Sequence, residues 1–177
     1  MKIVSPKIKN CVEYSIIDSI KDNDFSNIKL DNVDLIDVIF KDCDISNQVF
    51  DNKLLSRVVF DNCKLLGTSF VNSSLKDVTF SSSNFKYTNF FTSSLNNIEI
   101  IDSDFSNSIF TESKIKNIIL YNSTFNEAEF IRTNLKDVDF STCNIERIVF
   151  DIDSLKGIKI NVLQASDIIS LFGVQIK

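Results

Sequence analysis

The sequence predicts an all-β fold, a four-sided β-solenoid in which a short strand and a corner repeat every five residues. Three observations support it. Every position numbered by a multiple of five, from Ile20 to Ile160, is Phe, Leu or Ile, which makes 29 such positions. The residue two places earlier is small or β-branched in 24 of 28 repeats. Side-chain types also recur every 20 residues. A helix or an ordinary strand has a different period, so neither sustains this pattern.

Each five-residue repeat is predicted to bury two side chains and then turn a corner. The large residue and the small residue two places before it point inward. Two places after the large residue, many repeats carry Asn or Asp, as at Asn47, Asn52 and Asn62. These residues tolerate left-handed backbone and form local hydrogen bonds, so they suit tight turns. With only 3 Gly and 1 Pro in the chain, the corners depend on them.

The 20-residue period predicts that four repeats make one turn, with about seven turns between residues 20 and 160. Equivalent side chains then stack along the axis, about 4.8 Å apart, in a core with little void. A filled core is expected to leave no cleft for a catalytic site. The clearest columns are Leu35, Leu55, Leu75, Leu95, Ile115, Leu135 and Leu155; Phe50, Phe70, Phe90, Phe110, Phe130 and Phe150; and Cys43, Cys63, Ser83, Ser103, Ser123 and Cys143.

The periodicity divides the chain into three parts. Residues 1–19 are expected to cap the first coil, residues 20–160 to form the solenoid, and residues 161–177 to form a helix and a short strand. Asn161 suits the start of that helix, and Gly173 suits the position after its end. Because solenoid ends expose unpaired edges, we expect the helix to cover the last coil.

The outer face of the C-terminal segment is predicted to form a homodimer interface. Its apolar residues lie at helical spacing and then alternate as in a strand. The predicted interface residues are Leu163, Ile168, Ile169, Leu171, Phe172, Val174 and Ile176.

The composition argues against an enzyme. There is no histidine, which removes the commonest general base and metal ligand. No Gly-rich phosphate loop and no nucleophile beside a base are evident. Three of the 4 cysteines occupy the inward small position, so we expect reduced core thiols and not metal ligands or disulfides. We therefore expect no cofactor, no metal and no small-molecule substrate.

Charge and hydropathy narrow the class of partner. The net charge of −5 argues against direct nucleic-acid binding, which relies on basic residues that release counterions. The sequence has neither an N-terminal apolar run of signal-peptide length nor a transmembrane span, so we expect a cytoplasmic protein without membrane contact. A protein partner remains, and three surfaces could bind it.

The first surface is the acidic side, which carries the column Phe40, Phe60, Phe80, Ile100, Leu120 and Phe140. Carboxylates repeated along a rod could imitate a phosphate backbone, or they could form an ordinary solvated face. The predicted partner-binding residues are Asp37, Asp42, Asp61, Asp77, Glu99, Asp102, Asp137 and Asp139.

Two further surfaces flank the rod. The basic side precedes the acidic side in each turn and carries Lys76, Lys114, Lys116, Lys136 and Lys156. These lysines could keep the protein soluble or could form an intermolecular contact. The apolar stripe lies on the side of the Phe50 column and comprises Val71, Phe91, Ile109 and Ile131. A long apolar stripe suggests a contact surface, whereas scattered β-branched residues would reflect strand preference alone.

The repeat resembles the pentapeptide-repeat family, whose motif is a small residue, Asn or Asp, and then Leu or Phe. Ser83-Asn84-Phe85, Thr88-Asn89-Phe90, Ser103-Asp104-Phe105 and Thr133-Asn134-Leu135 match this motif. The resemblance covers about residues 20–160 and implies a right-handed quadrilateral β-helix.

The C-terminal segment contains Leu155-Lys156-Gly157-Ile158-Lys159-Ile160, Gln164-Ala165-Ser166 and Gly173-Val174. In these residues it resembles the quinolone-resistance subfamily, which includes the plasmid-borne Qnr group and the mycobacterial fluoroquinolone-resistance protein. The resemblance implies end-to-end dimers that mimic DNA, bind DNA gyrase or topoisomerase IV, and can protect them from quinolones. The alternative is an interaction scaffold or immunity-type protein with a different protein partner.

Two features depart from the subfamily. The Gram-negative Qnr proteins carry two loops that interrupt the coils, whereas the five-residue phase here runs unbroken and is closer to the mycobacterial form. The small inward position, commonly Ala in the family, is mostly Ser, Thr or Val here.

Overall fold

The structure is a computed structural model that describes residues 34–170 and Gly173. It contains five strands and one helix: β1 (Leu35–Lys41), β2 (Leu54–Asp61), β3 (Ser74–Ser81), β4 (Ser94–Ile101), β5 (Lys114–Tyr121) and α1 (Gln164–Ser170). The strands form one sheet in the order β1-β2-β3-β4-β5, so four turns separate the first strand from the last. The predicted N-terminal cap and the predicted strand at Val174 and Ile176 lie outside the described residues.

Every strand pair is parallel with an offset of one turn. Leu35 lies opposite Leu55, and Phe40 lies opposite Phe60. Isolated bridges on the other two sides, such as Asp44 with Lys64, keep the same offset. Parallel crossovers of this kind are right-handed in nearly all proteins. The predicted right-handed quadrilateral β-helix is therefore confirmed.

The corners have left-handed backbone, as predicted for the residue two places after the large one. Asn47 and Asn52 both have φ of 59°. The position imposes this conformation even on residues that disfavour it, because Arg57 and Tyr87 have φ of 55° and 60°. Asn47 and its equivalents were foreseeable from their residue type, whereas Arg57 and Tyr87 follow only from the strict spacing.

The core consists of stacked side chains, and the inward Phe residues of the middle turns are fully buried. Phe70, Phe90 and Phe110 stack with ring centroids 4.8 Å apart at each step, and Phe130 follows at 4.6 Å. The rings are nearly parallel, which places equivalent residues of successive turns in direct contact. The stacking confirms the predicted Phe column.

Hydroxyl groups at the small inward position are bonded to the backbone. Ser93 Oγ donates to the carbonyl of Phe90 at 2.6 Å, and Thr88 Oγ1 donates to the carbonyl of Phe85 at 2.7 Å. No buried side-chain nitrogen or oxygen among the described residues lacks a hydrogen-bond partner. Ser and Thr can therefore occupy the position where Ala is common, because their hydroxyls are satisfied locally.

The C-terminal helix covers the last turn through a reciprocal cap. Asn161 Oδ1 accepts from the N–H of Gln164 at 3.1 Å, while Gln164 Oε1 accepts from the N–H of Asn161 at 2.8 Å. Gln164 Nε2 also donates to the carbonyls of Phe140 and Cys143, at 2.9 and 2.7 Å. These bonds satisfy carbonyls that a solenoid end would otherwise expose. The predicted N-cap at Asn161 and cap helix are confirmed, and Gly173 has φ of 71° as expected after a helix end.

Candidate partner-binding surfaces

The described structure places all eight predicted carboxylates on the acidic side. Some of these residues lie on the flat face of the acidic side, and the others lie at the corner before or after that face. These positions agree with the 20-residue period. Glu99, for example, lies on β4 and pairs in register with Thr79 and Ile119. Their surroundings differ between the beginning and the later turns of the rod.

Salt bridges neutralise the beginning of the acidic side. The guanidinium of Arg57 binds the carboxylate of Asp37 through two bonds, Nε–Oδ1 at 2.5 Å and Nη2–Oδ2 at 2.8 Å. This pairing raises the pKa of Arg57, because the hydrogen bond to Asp37 favours its charged form. Lys41 Nζ lies 3.2 Å from Asp61 Oδ2. The first described turns therefore carry little net negative charge.

The later carboxylates keep their charge because their partners are neutral. Asn97 Nδ2 donates to Asp77 Oδ1, and Asn122 Nδ2 donates to Asp102 Oδ1, both at 2.6 Å. The Ser141 hydroxyl and N–H lower the pKa of Asp139, which keeps that carboxyl ionised. Within the described part of the chain, the carboxylates of the acidic side that form no salt bridge are Asp42, Asp77, Glu99, Asp102, Asp137 and Asp139.

Two large apolar side chains interrupt the acidic side, and the sequence analysis did not identify them. Ile119 and Tyr121 on β5 are 58% and 56% exposed. They flank Leu120, so the rule that neighbours of an inward residue point outward could have found them. Tyr121 lies opposite Ile101 on β4, which places apolar surface between Glu99 and the last carboxylates.

An open polar groove of about 650 Å³ follows the corner after the acidic side. Its floor contains the small inward residues Cys43, Cys63 and Ser83, and its rim carries Asp42 and Asp102. The groove lies outside the filled core, so the expectation that the core leaves no cleft for a catalytic site stays a prediction. The groove offers carboxylate and amide oxygens to cationic or hydrogen-bonding groups.

Asp104 adds a carboxylate to this groove that the sequence analysis did not single out. Partial burial acts to raise its pKa, but hydrogen bonds from Ser106 and from Lys86 outweigh that effect and lower it. Lys86 Nζ lies 3.0 Å from Asp104 Oδ2. The acidic residues of the groove thus belong partly to local salt bridges.

The apolar stripe is only partly continuous. Val71 and Phe91 lie in adjacent turns, where the N–H of Asn72 donates to the carbonyl of Phe91 at 3.0 Å. Phe91 is 37% exposed and Ile109 is 36% exposed. Buried Thr111 separates Phe91 from Ile131 in the same column. The structure therefore joins Val71 with Phe91 and leaves Ile109 and Ile131 apart.

The predicted dimer interface is described only at its beginning. Leu163 and Ile169 are 84% and 40% exposed, so both are available to a partner. Ile168 packs against the hydrophobic core, so part of it faces the solenoid. Leu171, Phe172, Val174 and Ile176 lie outside the described residues, and the homodimer interface stays a prediction.

The cysteines of the described residues are buried thiols. A hydrogen bond with the Cys43 thiol and burial raise the pKa of Cys63, so it stays protonated. No group of three or more Cys, Asp or Glu side chains within residues 34–170 is arranged to bind a metal ion. In the same part of the chain, no helix has both the length and the hydropathy needed to cross a membrane.

Two family models match the sequence. Residues 33–104 match a model described as a pentapeptide repeat region. Residues 108–147 match a model of eight copies of the pentapeptide repeat. Together these matches cover more than half of the 177 residues. A search of curated proteins found no match.

Solved structures with a similar fold come from several sources. Trypsin-treated QnrB1, a plasmid-mediated fluoroquinolone resistance protein, is 18% identical with a TM-score of 0.35, over 80% of this chain and 69% of that chain. HetL from Nostoc sp. strain PCC 7120, involved in heterocyst differentiation regulation, is 8% identical with a TM-score of 0.40, over 78% and 89%. Rfr23 from Cyanothece 51142 is 13% identical with a TM-score of 0.34, over 70% and 91%. At these identities the likeness concerns the fold alone.

Proposed function

This chain belongs to the pentapeptide-repeat family, and on that premise we propose that it is a non-enzymatic DNA mimic that binds a type II topoisomerase. The target would be DNA gyrase or topoisomerase IV, which the protein would protect from quinolones. One observation supports this best: carboxylates without salt bridges recur along one side of the rod from Asp77 to Asp139. The resemblance of residues 155–174 to the quinolone-resistance subfamily points to the same partner.

The spacing of these charges suits a basic groove that normally holds DNA. Successive paired turns rise by about 4.8 Å, and Asp77 and Asp137 lie three turns apart in one column. Glu99 and Asp102 lie on the same turn, three residues apart in the sequence. Such a field accelerates encounter with a basic surface. The charge density is lower than that of DNA, so binding should depend on salt less steeply than DNA binding does.

The dimer belongs to the same proposal. Leu163 and Ile169 are exposed on the cap, at the end of the rod where a second copy would extend it. Two rods joined end to end would measure roughly 70 Å at the strand spacing of the solenoid. A molecule of that length would present the charged turns of both copies to one topoisomerase.

The experiment is a supercoiling assay with purified gyrase and the purified full chain. We expect inhibition by the native protein and at least about tenfold weaker inhibition by the double variant Glu99→Gln/Asp102→Asn, because both charges would face the enzyme. The matched control is Glu127→Gln/Glu146→Gln, which removes two negative charges from other sides of the rod and should inhibit like the native protein.

Three outcomes would contradict the proposal. The first is an intact dimer that neither binds nor inhibits gyrase or topoisomerase IV. The second is equal loss of inhibition in both double variants, which would indicate an effect of total charge. The third is inhibition by the native protein that is unchanged in Glu99→Gln/Asp102→Asn.

A second candidate function is an interaction scaffold or immunity-type protein with another partner. The observation that favours it is the neutralised beginning of the acidic side, where Arg57 and Lys41 cancel the charges of Asp37 and Asp61. The contiguous pair Val71 and Phe91 would then offer the contact surface. Affinity capture from the source cell with the native protein and with Phe91→Ser would distinguish the two, since only the scaffold function predicts a non-topoisomerase partner that the variant loses.

A further inference from the structure

The turn after β5 does not pair with β5 on two of the four sides. In the preceding turn, the N–H of Asp102 donates to the carbonyl of Tyr121 at 3.1 Å. One turn later, the N–H of Asn122 reaches only the hydroxyl of Thr142, at 3.3 Å. Among the described residues, no backbone hydrogen bond joins residues 114–121 to residues 134–141. We call this gap the open seam.

The same two turns are closed on the other two sides. The N–H of Phe125 donates to the carbonyl of Asn144 at 2.7 Å, and that of Phe130 donates to the carbonyl of Val149 at 2.8 Å. The two turns are therefore apart on the basic and acidic sides and are joined by backbone hydrogen bonds on the other two sides of the solenoid. One edge of β5 is paired with β4, and the other carries backbone donors and acceptors without protein partners in the described part of the chain.

Side-chain burial shows the same opening. Leu95 and Ile98 on β4 are fully buried, whereas their counterparts Ile115 and Ile118 on β5 are only partly buried. A cavity of about 270 Å³ lies between these two isoleucines and residues 136–138. The seam thus offers apolar contact as well as a strand edge.

Lysines surround the opening of the seam. Lys114 and Lys116 project from β5, and Lys116 and Lys136 line the cavity. None of these three forms a salt bridge among the described residues, whereas Lys156, one turn further, binds Asp153 at 2.6 Å. Asp137 is the acidic residue in the cavity wall.

We propose that the open seam is a docking site for an extended, acidic segment of a partner protein, which adds as a strand to the free edge of β5. Backbone bonds to the β5 edge would supply affinity, as in other cases of strand addition. Apolar side chains three residues apart in the segment would cover Ile115 and Ile118, because β5 turns a corner at Asn117. Its carboxylates would pair with Lys114, Lys116 and Lys136, which selects acidic partners. The site borders the carboxylates proposed to contact a topoisomerase and shares Asp137 with them.

The test uses the full chain and an 8-residue Val-Glu peptide with the length of β5. Val occupies positions 2, 5 and 7 of the peptide, as Ile115, Ile118 and Leu120 do in β5, and Glu occupies the others. Binding is followed by fluorescence anisotropy, and strand addition by amide hydrogen exchange. We expect binding that slows exchange at Ile115, Asn117 and Leu120 by at least about tenfold. The amides of Leu95 and Asn97, already paired one turn earlier, should not change.

Charge reversal of the seam identifies the recognition chemistry. The double variant Lys116→Glu/Lys136→Glu should lose at least about tenfold in affinity for the Val-Glu peptide and gain affinity for a Val-Lys peptide. Lys76→Glu is the matched control, because Lys76 is in the same column but on β3, which pairs with a strand on both edges; this variant should bind like the native protein.

Several results would overturn the inference. One is native exchange at Ile115 and Asn117 as slow as at Leu95 and Asn97, because the seam would then be closed. Another is binding of polyglutamate as tight as binding of the Val-Glu peptide without protection of β5, because lysines alone would then account for it. A third is no binding of the peptide at all.

Discussion

The turns from β1 to β5 and the turn that follows β5 have the same five-residue repeat, yet their backbones pair differently. Between β1 and β5, every strand pairs with the next over its whole length. After β5, pairing continues on two sides and fails on the other two. Both regions have a large apolar residue at every fifth position, so this pattern does not explain the difference.

The outward residues provide the physical difference between the two regions. In the closed turns, outward residues one turn apart bind each other. Arg57 forms a salt bridge with Asp37, and Asn97 donates a hydrogen bond to Asp77. Closing the seam would place Lys116 directly opposite Lys136, and like charges in that position are destabilising. We therefore expect repulsion between Lys116 and Lys136 to contribute to the opening of the seam.

The largest expected effect concerns core packing on either side of the seam. Phe105→Ala removes a fully buried ring that stacks on Phe85 at 4.6 Å, and should lower the free energy of unfolding by about 3–5 kcal/mol. Phe150→Ala, in the turn beyond the seam, removes a partly buried ring 5.9 Å from Phe130 and should cost less than half as much. Urea denaturation of both variants measures the difference, and equal losses would contradict the comparison.

A smaller effect follows from changing the charge of one lysine at the seam. Lys116→Glu would place opposite charges across the seam and should raise the free energy of unfolding by about 0.2–1 kcal/mol. Adding Lys136→Glu restores like charges and should cancel the gain. The control Lys76→Glu lies between Ser56 and Asn96, which are neutral, and should change stability little. A gain that persists in the double variant would exclude cross-strand repulsion as the cause of the opening.

The smallest effect is a local dependence on pH where backbone hydrogen bonds join the two turns on either side of the seam. A hydrogen bond from the backbone N–H of Arg132 lowers the pKa of Asp151. Hydrogen bonds from Ser154 lower it further, each by a smaller amount. The stabilisation is therefore complete above the usual aspartate pKa of about 4 and is lost as the pH falls through the lowered value. NMR exchange should show the protection factor of the Arg132 amide falling in acid. The Glu112 amide, which donates to the carbonyl of Ile131, should keep its protection. Parallel behaviour of the two amides would refute this role.

Much of the fold follows from the sequence because the repeat is strict. The positions of Phe90 and Leu95 in the core and of Asn52 at a corner follow from counting in fives, and the cap at Asn161 follows from local hydrogen-bonding chemistry. The groove beside Cys63 did not follow, because counting residues does not measure the hollow that small side chains leave.

Which neighbours the surface side chains bind was harder to predict than which side of the rod they occupy. The sequence predicts that Asp37 and Asp77 lie on one side of the rod. Arg57 neutralises the charge of Asp37, whereas Asn97, which is neutral, binds Asp77 and leaves its charge uncompensated. The open seam was also missed, since the five-residue phase continues through Ile115 and Leu135 without interruption. Both features depend on contacts between outward residues one turn apart, which a single period of five does not reveal.

The most direct test of the comparison is residue-resolved amide hydrogen exchange on the native full chain. The equivalent amides one turn apart are Leu95 with Ile115, Asn97 with Asn117, and Ile100 with Leu120. Unpaired edge amides should exchange at least about tenfold faster than their paired counterparts, so Ile115, Asn117 and Leu120 should be the fast members. Equal protection within each pair would show that the turn after β5 closes like the others and would contradict the account.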